Sequence, residues 1–293
     1  MKKVNLDLII AEASGNMTAF VVYPVDPRLR IPYGNKIMQV IDDYNIEQVG
    51  FIAPSYEDKP LRLDMMGKEF CANATRAYGY YSALCDGLTG KQKVEVYVSG
   101  SKGPTFVEVD MDKETAIVEM PRAEKIAVVE MNGKDYTAVV YEGTAHVIVE
   151  NEKASEEKAK ELIRELKTIY DLPSLGALFL DRENSSMIPY IYIEDGDNFK
   201  KVNSCGSGSA AVATYLTRNI DDDVFEMSLK QPKGTIEIKA VKDSTDYTIY
   251  IGGDVKISEK EQIIFDVEDE AFAFVKKAKD EVAENYKKEK ENK

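Results

Sequence analysis

The sequence predicts a mixed α/β (α+β) protein built from two similar halves, and three observations carry that expectation. Two stretches share one pattern: Glu69-Phe70-Cys71-Ala72-Asn73-Ala74-Thr75-Arg76 and Asn203-Ser204-Cys205-Gly206-Ser207-Gly208-Ser209-Ala210. Each runs from its cysteine straight into an apolar stretch at helical spacing, and each carries a hydroxyl four residues past the thiol, Thr75 and Ser209. Most of the remaining chain alternates apolar and polar residues between short turns, the period of half-buried strands. At 293 residues and 44% hydrophobic side chains, the chain has material for one large core or two of ordinary size. The repeated cysteine stretch favours two.

In order, Val4 to Ile10 alternates and Ala19 to Tyr23 is rich in β-formers, with Ala13-Ser14-Gly15-Asn16 as the turn between them, so the chain opens on a hairpin. A short helix follows through Ile37, Met38, Val40 and Ile41, then strands at Val49 to Ala53 and Leu61 to Met65 deliver the chain to Cys71. Ala77, Tyr78, Tyr81, Leu84 and Cys85 recur at helical spacing until Asp86-Gly87 stops them, which places Cys85 in the packed stripe of that helix. Val94 to Val98, Phe106 to Met111 and Thr115 to Met120 read as three strands, and Pro121 marks the crossing between halves. The second half repeats the plan with strands at Ala127 to Met131, Tyr136 to Tyr141 and His146 to Glu150. A helix then runs from Ser155 to about Tyr170, with Ala159, Leu162, Ile163, Leu166 and Ile169 on one face and Glu156 and Glu157 in its first turn. Short strands at Ala177 to Leu180 and Ile188 to Ile193 lead to Cys205, after which Ala210, Ala211, Ala213 and Leu216 continue as a closely packed helix. Strands at Val224 to Leu229, Thr235 to Val241 and Tyr247 to Ile251 follow. Beyond Ile257 to Phe265, Ala271, Phe274, Val275, Ala278 and Val282 mark a final amphipathic helix, and the tail from Lys287 is polar.

Charge and cysteine usage narrow the function. With 38 basic against 52 acidic residues the net charge is −14, which repels phosphate backbones and anionic membranes and leaves a small-molecule substrate as the expected partner. The apolar run after Met1-Lys2-Lys3 is interrupted by Asn5 and Asp7, unlike a signal peptide, and no run has the length of a membrane span. Three cysteines make no disulfide framework, so a reduced, cytoplasmic protein is expected; one histidine and no Cys-x-x-Cys argue against zinc. No cofactor is expected.

A thiol at a helix N-terminus has free backbone N–H groups beside it and a partial positive charge that favours the thiolate. Two such thiols from two halves suit proton removal from one face of a carbon and delivery to the other, with the freed amides holding a carboxylate as carbanion character develops.

At these residues the chain resembles the diaminopimelate epimerase superfamily, racemases and epimerases that use two cysteines and no pyridoxal phosphate. The family pattern Cys-Gly-Asn-Gly, then Thr or Ile and Arg, is matched by Cys71-Ala72-Asn73-Ala74-Thr75-Arg76, and Cys-Gly-Thr/Ser-Gly by Cys205-Gly206-Ser207-Gly208. The early Gly15-Asn16 turn, Gln48 at the family's substrate-contacting glutamine, and Gly143-Thr144-Ala145-His146 at its Gly-Asn-Pro-His follow in the same order. The resemblance implies two similar domains, each a curved, mostly antiparallel sheet or barrel around a central helix: residues 1–120 with about 266–293, carrying Cys71, and 121–265, carrying Cys205. It also implies a homodimer. The family's Glu-Arg-Gly, whose arginine grips the distal end of diaminopimelate, is absent; Asp195-Gly196-Asp197-Asn198-Phe199-Lys200 stands there, and Lys200 or Lys201 lacks the bidentate fork. The variant text is closest to the histidine racemase branch, so a cofactor-independent amino-acid racemase is expected, histidine being the substrate. Diaminopimelate or lanthionine epimerisation, and amino-acid binding without chemistry, are the alternatives.

Cys71 and Cys205 are accordingly the expected catalytic pair, against the plainer reading of buried core thiols. Asn16, Gln48, Ala72, Asn73, Thr144, His146, Gly206 and Ser207 are the expected substrate-binding set. Of these, Asn16, Gln48 and Thr144 equally suit ordinary turn or cap roles, and a lone histidine such as His146 commonly belongs to a core. Asn73 and Ser207 each lie two positions past a proposed base, where side chain and amide both reach a carboxylate. Ala72 and Ala74 replace glycines and restrict φ near that cradle.

Overall fold

A computed structural model describes residues 1–41, 44–54, 61–194, 198–244, 246–273 and 277. In chain order the elements are β1 (Lys2–Ala13), β2 (Asn16–Val21), α1 (Arg30–Val40), β3 (Gln48–Ala53), β4 (Arg62–Met65), α2 (Ala72–Cys85), β5 (Lys91–Val98), β6 (Thr105–Asp110), β7 (Thr115–Glu119), β8 (Lys125–Met131), β9 (Lys134–Tyr141), β10 (Thr144–Glu150), α3 (Glu156–Ile169), β11 (Ser174–Asp181), β12 (Ser186–Ile193), β13 (Asn198–Lys201), α4 (Gly206–Thr217), β14 (Val224–Lys230), β15 (Thr235–Asp243), β16 (Asp246–Ile257) and β17 (Glu261–Val267). This is a mixed α+β, sheet-dominated fold, with its helices and most of its strands where the apolar periodicity puts them. The hairpin is longer than its alternating core suggests, and β13 falls in a stretch with too few apolar residues to signal a strand. Where the final amphipathic helix is expected, a short 3₁₀ turn at Asp269–Phe272 leads into α-helical Ala273, and Lys277 is also helical; Phe274, Val275, Ala278, Val282 and the tail from Lys287 lie outside the described residues.

Strand pairing closes on itself. From β1 the ladder passes to β2, in parallel to β3, then to β4, in parallel to β5, and on through β6 and β7 to β16. The far end of β16 returns to β1, Ala11 opposite Ile257. Inside this ring runs α2, packed against β1, β5, β6, β7 and β16. Its small residues Ala72, Ala74, Ala77 and Gly79 let the backbone approach the strands: a Cβ on Gly79 would sit 2.5 Å from Val107.

The second half curls similarly. β8, β9 and β10 run antiparallel, β10 pairs with β11 in parallel, and β11 leads through β12 to β13. A single pairing, Ser186 with Lys230, links β12 to β14, from which β15 and β16 follow. Around α4, the strands β9, β10, β11, β15 and β16 supply the contacts. One strand, β16, therefore serves both sheets, and α2 and α4 share one continuous core. Two smaller cores lie outside: α3, N-capped by Ser155, covers β8, β11 and β12, and α1 covers β3 and β17. β17 pairs with β1 along Lys2 to Leu8.

Cys85 departs from expectation. It is the last residue of α2 and is exposed, as is Leu84 at 49%. The final turn emerges from the ring of strands, so the stripe that Tyr78 begins has nothing to pack against at its end.

Candidate active site

The chain reaches Cys71 through a braced segment. Ser99 Oγ receives the N–H of Met65 and donates to Glu69 O, both at 2.9 Å. Gly100, at φ +72°, lies so close beneath that a Cβ would come within 2.2 Å of Phe70 N. Cys71 then takes the N-cap position of α2 in an extended conformation (φ −118°, ψ 109°). Its carbonyl accepts from Thr75 N and Thr75 Oγ1, both at 2.8 Å, and its sulfur accepts from Ala74 N at 3.4 Å. The thiol donates to Gln48 Oε1 at 2.8 Å.

Cys205 repeats this geometry at the start of α4, with φ −125° and ψ 109°. Ser209 Oγ donates to its carbonyl at 2.7 Å, as Thr75 does in the first half, and Gly208 N reaches the sulfur at 3.3 Å. Gln231 Oε1 accepts from Cys205 N while Gln231 Nε2 donates to Ser209 Oγ, each at 2.8 Å, clamping the cap. Ser207 Oγ stands 3.5 Å from the Cys205 sulfur and 3.0 Å from His146 Nε2.

The two helix starts abut. A Cβ on Gly206 would sit 3.0 Å from Ala72 Cβ and 3.5 Å from Asn73 Oδ1, so glycine is what permits the approach. Asn73 Nδ2 donates to Ser204 O at 3.4 Å across the junction. The Ser14-Gly15 turn of the first half presses on Lys233-Gly234 of the second, where a Cβ on Gly234 would lie 1.8 Å from Ser14 O.

Of the expected substrate-binding residues, Gln48, Ala72, Asn73, Gly206 and Ser207 meet at this junction. Asn16 lies one link away through Glu47, and His146 through Ser207. Thr144 opens β10, two residues before His146, with a buried hydroxyl that has no protein partner. Sequence reasoning missed Glu47. Its carboxylate is buried, accepting from Asn16 Nδ2 at 2.6 Å and, across the halves, from Asn203 N at 2.9 Å. Lys200, on β13, donates to Glu47 O at 2.9 Å, so it is spent on the junction rather than free to hold a distal carboxylate. Asp195, Gly196 and Asp197 lie outside the described residues. The one available signal for Glu47 was its place beside Gln48, and a glutamate at a strand start ordinarily faces water.

Electrostatics correct one expectation. Burial outweighs the helix-terminal amides and raises both thiols: Cys71 is pushed up to about 12, with the Glu69 and Cys205 charges adding, and Cys205 also rises, with Glu47 adding. At neutral pH both rest as thiols. Burial likewise raises Glu47 and lowers Lys200. His146 is pushed down to about 4 by burial alone, and its Nδ1 is unpartnered beside Gly176, where a Cβ would come within 2.2 Å. Among the described residues, no group of three His, Cys, Asp or Glu side chains is placed to hold a metal ion, and no helix is long and apolar enough to cross a membrane.

A family profile described as the histidine racemase CntK N-terminal domain matches residues 5–263. A histidine racemase from Fusobacterium nucleatum subsp. nucleatum is 30% identical over 267 residues, covering 86% of this chain and 94% of that one. Among solved structures, a phenazine biosynthesis protein of the PhzF family from Bacillus anthracis superposes with TM-score 0.61 at 15% identity, covering 90% of this chain and 99% of that one. A probable proline racemase from Agrobacterium radiobacter K84 gives TM-score 0.61 at 12% identity, covering 89% and 93%. These neighbours place the fold with the PhzF and proline racemase structures.

Two measurements follow from the burial pattern. Alkylation by iodoacetamide near pH 7 will modify exposed Cys85 first, with Cys71 and Cys205 slower by about tenfold or more and accelerating as pH rises; peptide mass spectrometry showing Cys71 fastest at neutral pH would contradict the geometry. For His146, the unfolded chain takes up a proton below its ordinary value of 6.5 while the folded one does not until about 4, so stability is lost as pH falls through that window. The loss amounts to about 3 kcal/mol. Denaturant titrations of His146→Gln will show a correspondingly flatter acid limb than the unsubstituted protein.

Proposed function

This chain belongs to the histidine racemase CntK family of isomerases, and from that membership we propose that it interconverts L- and D-histidine without a cofactor, one cysteine taking the α-proton and a second supplying another. One thiolate removes the α-proton, the electron pair stays on the carbon, and the opposite thiol delivers its own proton to the other face. The first sulfur is left protonated and the second ionised, which reverses the roles for the next turnover. The observation that carries this reading is the meeting of two N-capping cysteines at abutting helix starts. Amides of Ala72, Asn73, Gly206 and Ser207 there suit the substrate carboxylate and the charge that spreads onto it in the transition state.

A resting thiol is no obstacle to this chemistry. On substrate binding one thiol gives up its proton to solvent, and the substrate's α-ammonium adds a positive charge beside the sulfurs that offsets part of the burial penalty on the resulting thiolate. Histidine is favoured over a diacid by Glu47. A buried carboxylate close enough to act on Cys205 repels a second substrate carboxylate, and Lys200 is already committed to the Glu47 backbone. Gln48 and Ser207 hold the two sulfurs, and His146 steadies Ser207.

The same reading divides the chain into two lobes, residues 1–120 with the C-terminal stretch and 121 to about 265, each a curved sheet around its cysteine-bearing helix as in diaminopimelate epimerase. β17 joins the first lobe through its pairing with β1. A homodimer is proposed on the resemblance.

The test is a panel of L-amino acids and the meso and L,L diacids in D2O, scored for α-deuteration and chirality. Histidine is expected to racemise fastest, and Cys71→Ala and Cys205→Ala are each expected to lose about 10²- to 10⁴-fold in rate. Full racemisation by either single variant would overturn the mechanism, and preferential turnover of a diacid would overturn the substrate.

A further inference from the structure

Arg76 is the largest fully buried side chain among the described residues, with no exposed surface. Among the described residues no carboxylate forms an ion pair with it. Its Nη1 donates to Ala116 O at 3.2 Å, and its Nη2 to Ser14 Oγ at 3.2 Å and Asn73 Oδ1 at 3.0 Å; its Nε has no partner. Burying a guanidinium without a counter-ion and with a donor unmet is costly, and an arginine kept only for packing would be replaced by an apolar side chain at no loss. The protein also opens space for it. Gly253, at φ +142° on β16, faces the group from behind, and a Cβ there would lie 2.3 Å from Ser14 Oγ and 3.5 Å from Arg76 Nη1.

What this charge touches is the active site. Asn73 lies three residues before Arg76, on the same face of α2. Guanidinium groups only donate, so the Asn73 amide oxygen must face Arg76 and its NH2 must face outward, where it meets Ser204 O beside Cys205. One side chain in the first half thereby sets an amide that ties it to the second. Arg76 and Cys71 also lie within electrostatic range of each other, and the interaction is reciprocal: a thiolate on Cys71 favours the guanidinium, so the guanidinium favours the thiolate. The charges bearing on Cys71 from its surroundings are Glu69 from the preceding segment and Cys205 from the start of α4, both of which oppose ionisation. Asp254, on β16, bears on Arg76 from the exposed side of the sheet.

The geometry points to Arg76 as a positioning residue that fixes the Asn73 amide across the junction and supplies a buried positive charge that favours the Cys71 thiolate. This rests on the two-cysteine reading above for its catalytic meaning, but its effect on Cys71 is measurable without substrate. In the full chain, the rate of Cys71 alkylation by iodoacetamide at a fixed pH of about 9, followed by peptide mass spectrometry, is expected to fall by about tenfold or more in Arg76→Gln, with Cys85 unmoved. In histidine racemisation the same variant is expected to lose about tenfold or more in kcat with KM changed about threefold or less. Arg76→Lys keeps the charge and loses the fork, so it should restore most of the Cys71 alkylation rate and only part of kcat. A folded Arg76→Gln with an unchanged Cys71 alkylation rate would overturn the proposal. So would failure of both variants to fold, which assigns Arg76 to scaffolding alone. Full racemisation by Cys71→Ala would remove the two-cysteine reading while leaving the alkylation-rate result standing.

Discussion

Two helices in this protein begin nose to nose, and nearly every unusual residue serves that meeting. Helix starts carry unpaired N–H groups that need partners, and here each is capped by a cysteine sulfur held in the same extended conformation. Bringing both to one place requires small residues at the contact, Ala72 and Gly206, and a cross-tie from Asn73 to Ser204. It also requires each helix to be threaded through a sheet with its open end pointing inward. The curled ladders around α2 and α4, sharing β16, meet that requirement.

Burial at the junction sets the chemistry. Removing water from a thiol penalises the thiolate more than two or three amide donors recover, so both sulfurs rest protonated despite their place at helix termini. A site of this kind becomes basic only when positive charge enters it or already lies buried beside it. In the proposed reaction the substrate's ammonium is the first source and Arg76 the second. Glu47 works the other way around Cys205 while joining the two halves through Asn203.

Much of this was legible in the chain itself. The paired cysteine stretches, the hydroxyls Thr75 and Ser209, and the alternating strands report local geometry, and local geometry is what periodicity and capping residues encode. Asn73 and Ser207 could be placed beside the cysteines because each lies two positions past one in a short motif, whereas Gln48 was named from the family resemblance alone. Glu47 and the role of Arg76 were not, because each acts through contacts with residues distant in sequence: Asn203 for the one, Ser14 and Ala116 for the other. Cys85 sat correctly in a helical stripe, but periodicity does not say where the enclosing sheet ends. The direction of the thiol shifts was misread because a helix terminus is a local feature and desolvation is a property of the whole fold.

The central claim is that two different sulfurs handle the proton on opposite faces of one carbon. The most direct measurement is the isotope content of both enantiomers in the first few per cent of turnover of L-histidine in D2O. Deuterium in the α-position of newly formed D-histidine, with the remaining L-histidine still unlabelled, is the predicted result. Label appearing equally in both enantiomers, or a product that keeps the original proton, would mean that a single base serves both faces.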